Sequence, residues 1–151
     1  MPARCERKVE NQYFIHARPT KVFSMLSEPK LVTRWLSNTA DFSPRKGAQY
    51  SMRWKDRPPH RGEILEFVPG RKITFSWSWP GLERKLKLTR VRLSVRRKGR
   101  GTIFKIEHSG FPGGERWVDL YAGAVWGWTY FAMDLKSVLE TGTDLRIPME
   151  Y

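Results

Sequence analysis

His108 is the residue of this chain whose setting best suits chemistry. It closes a segment, Thr102 to His108, in which Phe104, Ile106 and His108 share one face of a strand. An imidazole on an otherwise apolar face can act as a general base or hold a ligand by a hydrogen bond. The competing assignment is a structural histidine bonded to a backbone carbonyl or a buried acid. His16 and His60 read as strand-edge and turn residues. Glu63 and Glu66 have opposite strand parity and do not form a facing acid–base pair, Glu107 is adjacent to His108, and Asp119 sits where a helix dipole already favours a carboxylate. No His/Asp/Glu cluster has metal-ligand spacing, and the single Cys5 excludes an internal disulfide and a cysteine zinc site. The serines lack a nucleophile elbow, and the glycines from Gly110 to Gly114 lack the GxGxxG pattern and read as a hinge. No cofactor or metal is expected. His108 is the only candidate for catalysis, and no catalytic constellation surrounds it.

Aromatic side chains are the larger resource. Strand parity turns Met52 and Trp54, Trp77 and Trp79, and Phe104 with His108 inward. Helical spacing sets Trp117, Tyr121 and Trp128, with Leu135, opposite them. Trp, Tyr and His bring polar handles into an apolar wall, which suits a flat, partly polar ligand. The same residues could instead fill a solid core, because periodicity does not distinguish a hollow interior from a packed one.

Net charge is +13, unevenly placed. The segment from Gly113 to Tyr151 holds 3 basic and 6 acidic residues, so the preceding 112 carry +16. Ten Lys and Arg fall between Arg84 and Lys105 with no acid among them. Arg84, Lys85, Lys87 and Arg90, followed by Arg92, Arg96 and Arg97, would form a basic strand face. Such a face suits nucleic acid or an anionic surface, or is simply solvated. No nucleic-acid motif accompanies it.

The elements that must position these groups follow from pattern. Val9 to Ala17 reads as a strand, Pro19 opens a short helix, and Pro29 restarts a second that ends near Trp35-Leu36. A short strand within Asn38 to Pro44 precedes strands over Gly47–Trp54, Arg61–Val68 and Lys72–Trp79. The next strand, Leu86 to Val95, slips in parity, and a bulge at Thr89-Arg90 would repair it. After the hairpin and the Thr102–His108 strand, a helix runs from about Gly113 to Thr141. Its apolar stripe lasts about six turns, with Asp119, Asp134, Lys136 and Glu140 off it. The order predicts an α+β domain: a curved antiparallel sheet of six to seven strands around one long C-terminal helix, with two short helices after strand one. Residues 1–8 and 143–151 read as tails about a single domain, 9–142. No apolar run is long enough to span a bilayer, and no leader-like apolar segment follows Met1, so a cytoplasmic location is expected.

Seven motifs then occur in a recognisable order. They are Ile15-His-Ala-Arg-Pro-Thr-Lys-Val-Phe23, Pro29-Lys-Leu-Val-Thr-Arg-Trp35, Gly47-Ala-Gln-Tyr50, Gly62-Glu-Ile-Leu-Glu66, Pro69-Gly-Arg-Lys-Ile-Thr-Phe-Ser-Trp77, Gly101-Thr-Ile-Phe-Lys-Ile-Glu-His108, and Gly127-Trp128 with Leu135 and Leu139. Over about residues 9 to 142 the chain resembles the helix-grip superfamily (START-like, SRPBCC). Within it the chain is similar to the bacterial branch related to the C-terminal domain of the activator of heat-shock-protein-90 ATPase. The proline-rich Asp56–His60 turn and the basic Arg84–Arg97 strand depart from that pattern. The resemblance implies a deep cavity between sheet and long helix that holds an apolar or aromatic small molecule. The chaperone-activator name comes from distant eukaryotic relatives with a further N-terminal domain; none is expected within these 151 residues, so a chaperone partner is not the expected one.

The expected activity is therefore non-catalytic binding of a small apolar molecule, by a monomer or homodimer. Two alternatives stand beside it. One is an interaction module, chaperone-associated or nucleic-acid binding, acting through the basic strand. The other is a cyclase- or hydrolase-like enzyme, which requires an acid within hydrogen-bonding reach of His108.

Overall fold

Two prolines decide where the first helices start. The computed structural model describes residues 7–55, 57–79 and 88–146. In it Pro19 opens α1 (Pro19–Ser27) directly after an extended Arg18. A residue before proline is driven out of the helical region, so Glu28 is extended (φ −107°, ψ 118°) and ends α1. Pro29 then opens the single turn of α2 (Pro29–Val32). Val22, Phe23, Met25 and Leu26 form the buried face of α1.

Seven strands make one antiparallel sheet: β1 (Arg7–Ile15), β2 (Thr39–Phe42), β3 (Gln49–Arg53), β4 (His60–Val68), β5 (Lys72–Trp77), β6 (Thr89–Lys98) and β7 (Gly101–Phe111). Their spatial order is β1-β7-β6-β5-β4-β3-β2. The register matches Val9 with His108 on one side of β7 and Val91 with His108 on the other, which fixes the depth of that imidazole in the sheet. Gly62 on β4 is required by close approach: a β-carbon there would meet Ser76 Oγ at 2.5 Å and the Tyr50 ring at 2.7 Å. A 3-10 turn (Glu115–Trp117) leads into α3 (Val118–Thr141), which is closed by a left-handed Gly142 (φ 79°) donating to Val138 O. No described helix is long and apolar enough to cross a membrane.

The core lies between α1, the sheet and the C-terminal part of α3. Trp35 is fully buried, donates from Nε1 to Met25 O at 2.7 Å and meets Phe104 edge-to-face. Ala132, Leu135 and Val138 carry α3 into this core, and full burial of a residue such as Leu135 contributes about 1.5–3 kcal/mol. Lys136 donates to Phe14 O and pairs with Glu140, whose carboxylate also accepts the His16 N–H at 2.9 Å; these contacts fasten the same end of α3 to β1.

Three expectations change. The parity slip after Leu86 is not a bulge: β6 begins at Thr89 and pairs without a register shift to β5 and β7. Leu88 lies outside the sheet, 52% exposed, and Leu86 falls outside the described residues. The sheet's irregularities lie between Arg7 and Val9 and between Ile64 and Glu66. The helix starts at Val118, so Trp117 belongs to the 3-10 turn. Asp134, read as off the apolar stripe, is 0% exposed because the chain after α3 folds back over it. There Leu145 N–H donates to Asp134 Oδ1 at 2.6 Å, and Arg146 Nε lies 3.2 Å from Oδ2.

Candidate ligand cavity

The two ends of α3 differ. From Ala132 onward it is packed, but between Val118 and Phe131 only Trp128 is fully buried. Beneath that raised part lies a cavity of about 830 Å³, within the range of small-molecule sites. Along the helix it extends from Asp119 to Phe131, about 18 Å at the rise of an α-helix. Gly123 and Gly127 line it, and a β-carbon built on either would have no neighbouring atom within 4 Å. These glycines serve no close packing; they leave the space open.

An aromatic floor follows the helix. Ring centroids step from Phe131 to Trp54 (6.3 Å), to Trp77 (6.0 Å), to His108 (6.1 Å), to Trp79 (5.9 Å) and to Trp117 (6.1 Å). Trp128 comes down from α3 onto Trp77 at 5.5 Å. Trp54 is held by Nε1 donating to Leu36 O at 2.7 Å.

His108 joins roof to floor. An indole N–H can only donate, so the 2.9 Å contact from Trp128 Nε1 makes Nδ1 of His108 an acceptor. This hydrogen-bond pattern assigns the proton to Nε2, which donates to Thr89 Oγ1 at 2.7 Å; the Thr89 hydroxyl in turn faces Trp77 O at 3.5 Å. Burial, with a smaller contribution from His60, pushes the His108 pKa down to about 3. The imidazole is thus neutral, with both nitrogens bonded inside the protein and neither to an acid. That is a positioning group, not a base poised near neutrality.

Polar groups gather at the Phe131 end. Asn38, Lys55 and Arg57 are exposed on the rim, and Asp144 and Arg146 line the same wall. Arg146 grips Asp144 through Nε (3.0 Å) and Nη2 (2.9 Å) and donates to the carbonyls of Ser37 and Thr33. Burial pushes the neighbouring Asp134 carboxyl up to about 7. Burial opposes ionisation of Asp144 as well, but the bonds from Arg146 hold it down at about 2. Among the described residues no three His, Cys, Asp or Glu side chains converge, so no metal-ligand set is visible there.

Of the expected wall, Trp54, Trp77, Trp79, His108 and Trp128 line the cavity. Met52 and Phe104 do not, since both are consumed by the packed core. Trp117 is buried against Trp79 and Phe111 beneath the start of the helix. Tyr121 does not line the cavity: its ring packs on Phe111 at 5.6 Å, and its hydroxyl donates to Lys8 O at 3.2 Å. His60 enters unannounced by its turn-like context: its ring lies 4.8 Å from Trp77, and Nδ1 is 3.1 Å from Ser78 O. The i, i+4 pair Gly123/Gly127 was the readable sign of an open helix face.

The basic strand lies elsewhere. Arg90, Arg92, Arg96 and Arg97 are exposed on β6, while Arg84, Lys85 and Lys87 fall outside the described residues. Arg92 is shared between Glu66 (3.4 Å) and Glu107 (3.9 Å), and Lys8, Lys72 and Lys105 pair with Glu10, Glu66 and Glu107 beside it. Around Arg92 the described face alternates cations with carboxylates.

A sequence model of one family, "Activator of Hsp90 ATPase homolog 1-like protein", matches residues 16–140. The chain belongs to this AHSA1-like family. The AHSA1-like chain is similar to protein MLL2253 from Mesorhizobium loti, with 26% identity over 92% of this chain and 100% of that one, and a TM-score of 0.81. It shares its fold with the Aha1 dimer from Colwellia psychrerythraea (17% identity; 91% and 98% coverage; TM-score 0.79). It also shares it with DynU16 of the dynemicin biosynthetic locus, at 21% identity over 91% of this chain but 48% of that one, and a TM-score of 0.79. No curated protein matches the sequence.

Proposed function

We propose that this AHSA1-like protein binds a small, flat, apolar or aromatic molecule between its sheet and α3, without transforming it. The observation that carries this reading is the raised half of α3, where two glycines leave an 18 Å, tryptophan-floored space (length about 1.5 Å per residue). His108 supports binding over catalysis, because both its nitrogens are occupied. DynU16, which shares the fold, is a putative protein of the dynemicin biosynthetic locus, and a flat aromatic ligand suits the tryptophan floor of the cavity. Native mass spectrometry of the purified protein tests the reading: a co-purifying small molecule is expected. Titration with flat aromatic compounds should quench tryptophan fluorescence in the wild type and not in Gly127→Leu. Equal quenching in both proteins would place the ligand elsewhere.

A second proposal concerns assembly. The outer face of α3 carries Val118, Val125, Trp126 (63% exposed), Met133 and, beside them, Leu145 around a groove of about 690 Å³. Exposed apolar surface of this kind marks interaction sites, the helix lies in the chain's acidic portion, and the Colwellia relative is a dimer. We propose a homodimer through this face. Sedimentation analysis should show a dimer that Trp126→Glu converts to monomer; a wild-type monomer at high micromolar concentration rejects it.

A further inference from the structure

Charge is balanced over one part of the sheet and unbalanced at one end of it. In the middle, Lys72 on β5, Arg92 on β6 and Lys105 on β7 are matched by Glu66, Glu107 and Glu10. Where β6 turns into β7 that matching stops. The hairpin carries exposed Arg96, Lys98 and Arg100, and exposed Arg97 braces the turn by donating from Nε to Gly99 O at 3.3 Å. Two further segments lie against it. Thr102 donates to Ala17 O at 2.7 Å, which brings exposed Arg18 and Lys21, at the start of α1, beside the hairpin. Val95 N–H donates to Arg71 O at 2.8 Å, which brings exposed Arg71 to its other side.

Residues 14–22, 69–73 and 94–105, which make up this end, contain no Asp or Glu. Among the described residues no carboxylate forms an ion pair with any of these cations. Glu140, which reaches the His16 N–H close by, is already taken by Lys136. Arg18 is the N-cap of α1 and Lys21 lies in its first turn, where the helix dipole disfavours cations, and no acid there offsets them. The arrangement therefore contributes repulsion to the free protein, and only an external anion relieves it.

The shape of the cluster indicates which anion. From Arg18, just after β1, across β7 and β6 to Arg71, just before β5, is three inter-strand spacings, about 14 Å. Along that length of duplex nucleic acid lie about eight phosphates. Five of the seven cations are arginines, whose forked donors match phosphate oxygens. The exposed large apolar residues among those described (Leu88, Val118, Trp126, Met133 and Leu145) all belong to other segments. This end thus offers neither an apolar wedge for a membrane nor an aromatic platform for unstacked bases.

We propose that the β6–β7 hairpin, with Arg71 and the start of α1, is a docking surface for the phosphate backbone of duplex nucleic acid, bound without regard to sequence. Of the basic strand read from the sequence, Arg96 and Arg97 belong to this surface, whereas Arg92 is held in the ion pairs of the sheet. None of its residues lines the cavity, so the proposal stands apart from small-molecule binding.

Fluorescence anisotropy of a short labelled DNA duplex tests it. Raising salt from about 50 to about 200 mM should weaken binding about a hundredfold, as expected for ion release from about four phosphates. Arg96→Glu/Lys98→Glu/Arg100→Glu should lower the salt slope by about three and weaken low-salt binding more than about tenfold. Lys30→Glu/Arg34→Glu/Arg53→Glu makes the same change in net charge at exposed residues elsewhere, and should stay within about threefold of wild type. The milder Arg96→Gln/Arg100→Gln should lower the slope by about two without charge reversal in the hairpin. Equal losses in the two triple variants would reduce the effect to net charge and overturn the proposal. So would a wild-type slope below about one, or no binding at low salt. Capture by vesicles of equimolar phosphatidylserine and phosphatidylcholine, without binding to the duplex, would overturn it too and make this end a membrane-docking surface.

Discussion

Filling the space beneath α3 should make the protein more stable while closing its site. Glycine inside a helix is less favourable than alanine by about 1 kcal/mol. That gain is normally cancelled where the glycine is needed for close packing, as at Gly62, whose β-carbon would stand 2.5–2.7 Å from its neighbours. At Gly123 and Gly127 no atom opposes the β-carbon within 4 Å, so the intrinsic gain survives. Gly123→Ala/Gly127→Ala should therefore add about 2 kcal/mol, or about 4–8 °C in melting temperature for a domain of this size. Gly127→Leu carries three more carbons into the same space, so it should keep most of the stability and lose aromatic ligand binding. Urea denaturation and thermal scans measure the first effect, and tryptophan quenching the second. A double alanine variant less stable than wild type would show the underside of α3 to be packed, and the cavity argument would collapse with it.

The Trp128–His108–Thr89 chain makes further commitments. The His108 pKa is lowered from 6.5 to about 3. The neutral imidazole therefore contributes stability that is present above the unfolded value and is lost as pH falls through that window, by up to about 1.4 kcal/mol per pH unit. Denaturation between pH 6.5 and about 4.5 should show this slope in wild type and a flatter one in His108→Gln, whereas parallel slopes would contradict it. Trp128→Phe keeps a ring but removes the donor to Nδ1, and should cost about 1–3 kcal/mol in urea unfolding; a change within about 0.3 kcal/mol would mean the bond carries no weight. Arg146→Met should destabilise by about 3 kcal/mol at pH 8, as expected when a buried pair loses one partner. The effect should be smaller at pH 5, where Asp134, with its carboxyl pushed up to about 7, is neutral. Equal losses at both pH values would count against a buried charge at Asp134.

Local physics made the architecture legible. Pro19 and Pro29 mark helix starts whatever surrounds them, and alternation through Ile73, Phe75 and Trp77 marks a strand because its period belongs to the backbone. The motif order from Ile15 to Leu139 placed those elements in one family, and the aromatic types at Trp54, Trp77, Trp79 and Trp128 announced an unusual interior. Which aromatics face space, and which face one another, was not readable. Met52 and Phe104 share the parity of cavity residues, yet both are buried in the packed core, Phe104 against Trp35. Asp134 breaks the apolar stripe of α3 and is buried nonetheless, because Arg146 returns to it from beyond the helix. Lys55 sits in a turn and His60 opens β4 with no periodic signal around either, and only the pairing of β3 with β4 brings them to the mouth. Sequence alone determined the elements and their inward faces, since those depend on residues close along the chain. Tertiary structure decided that α3 is packed at one end and raised at the other, because a cavity is the sum of what distant side chains fail to fill.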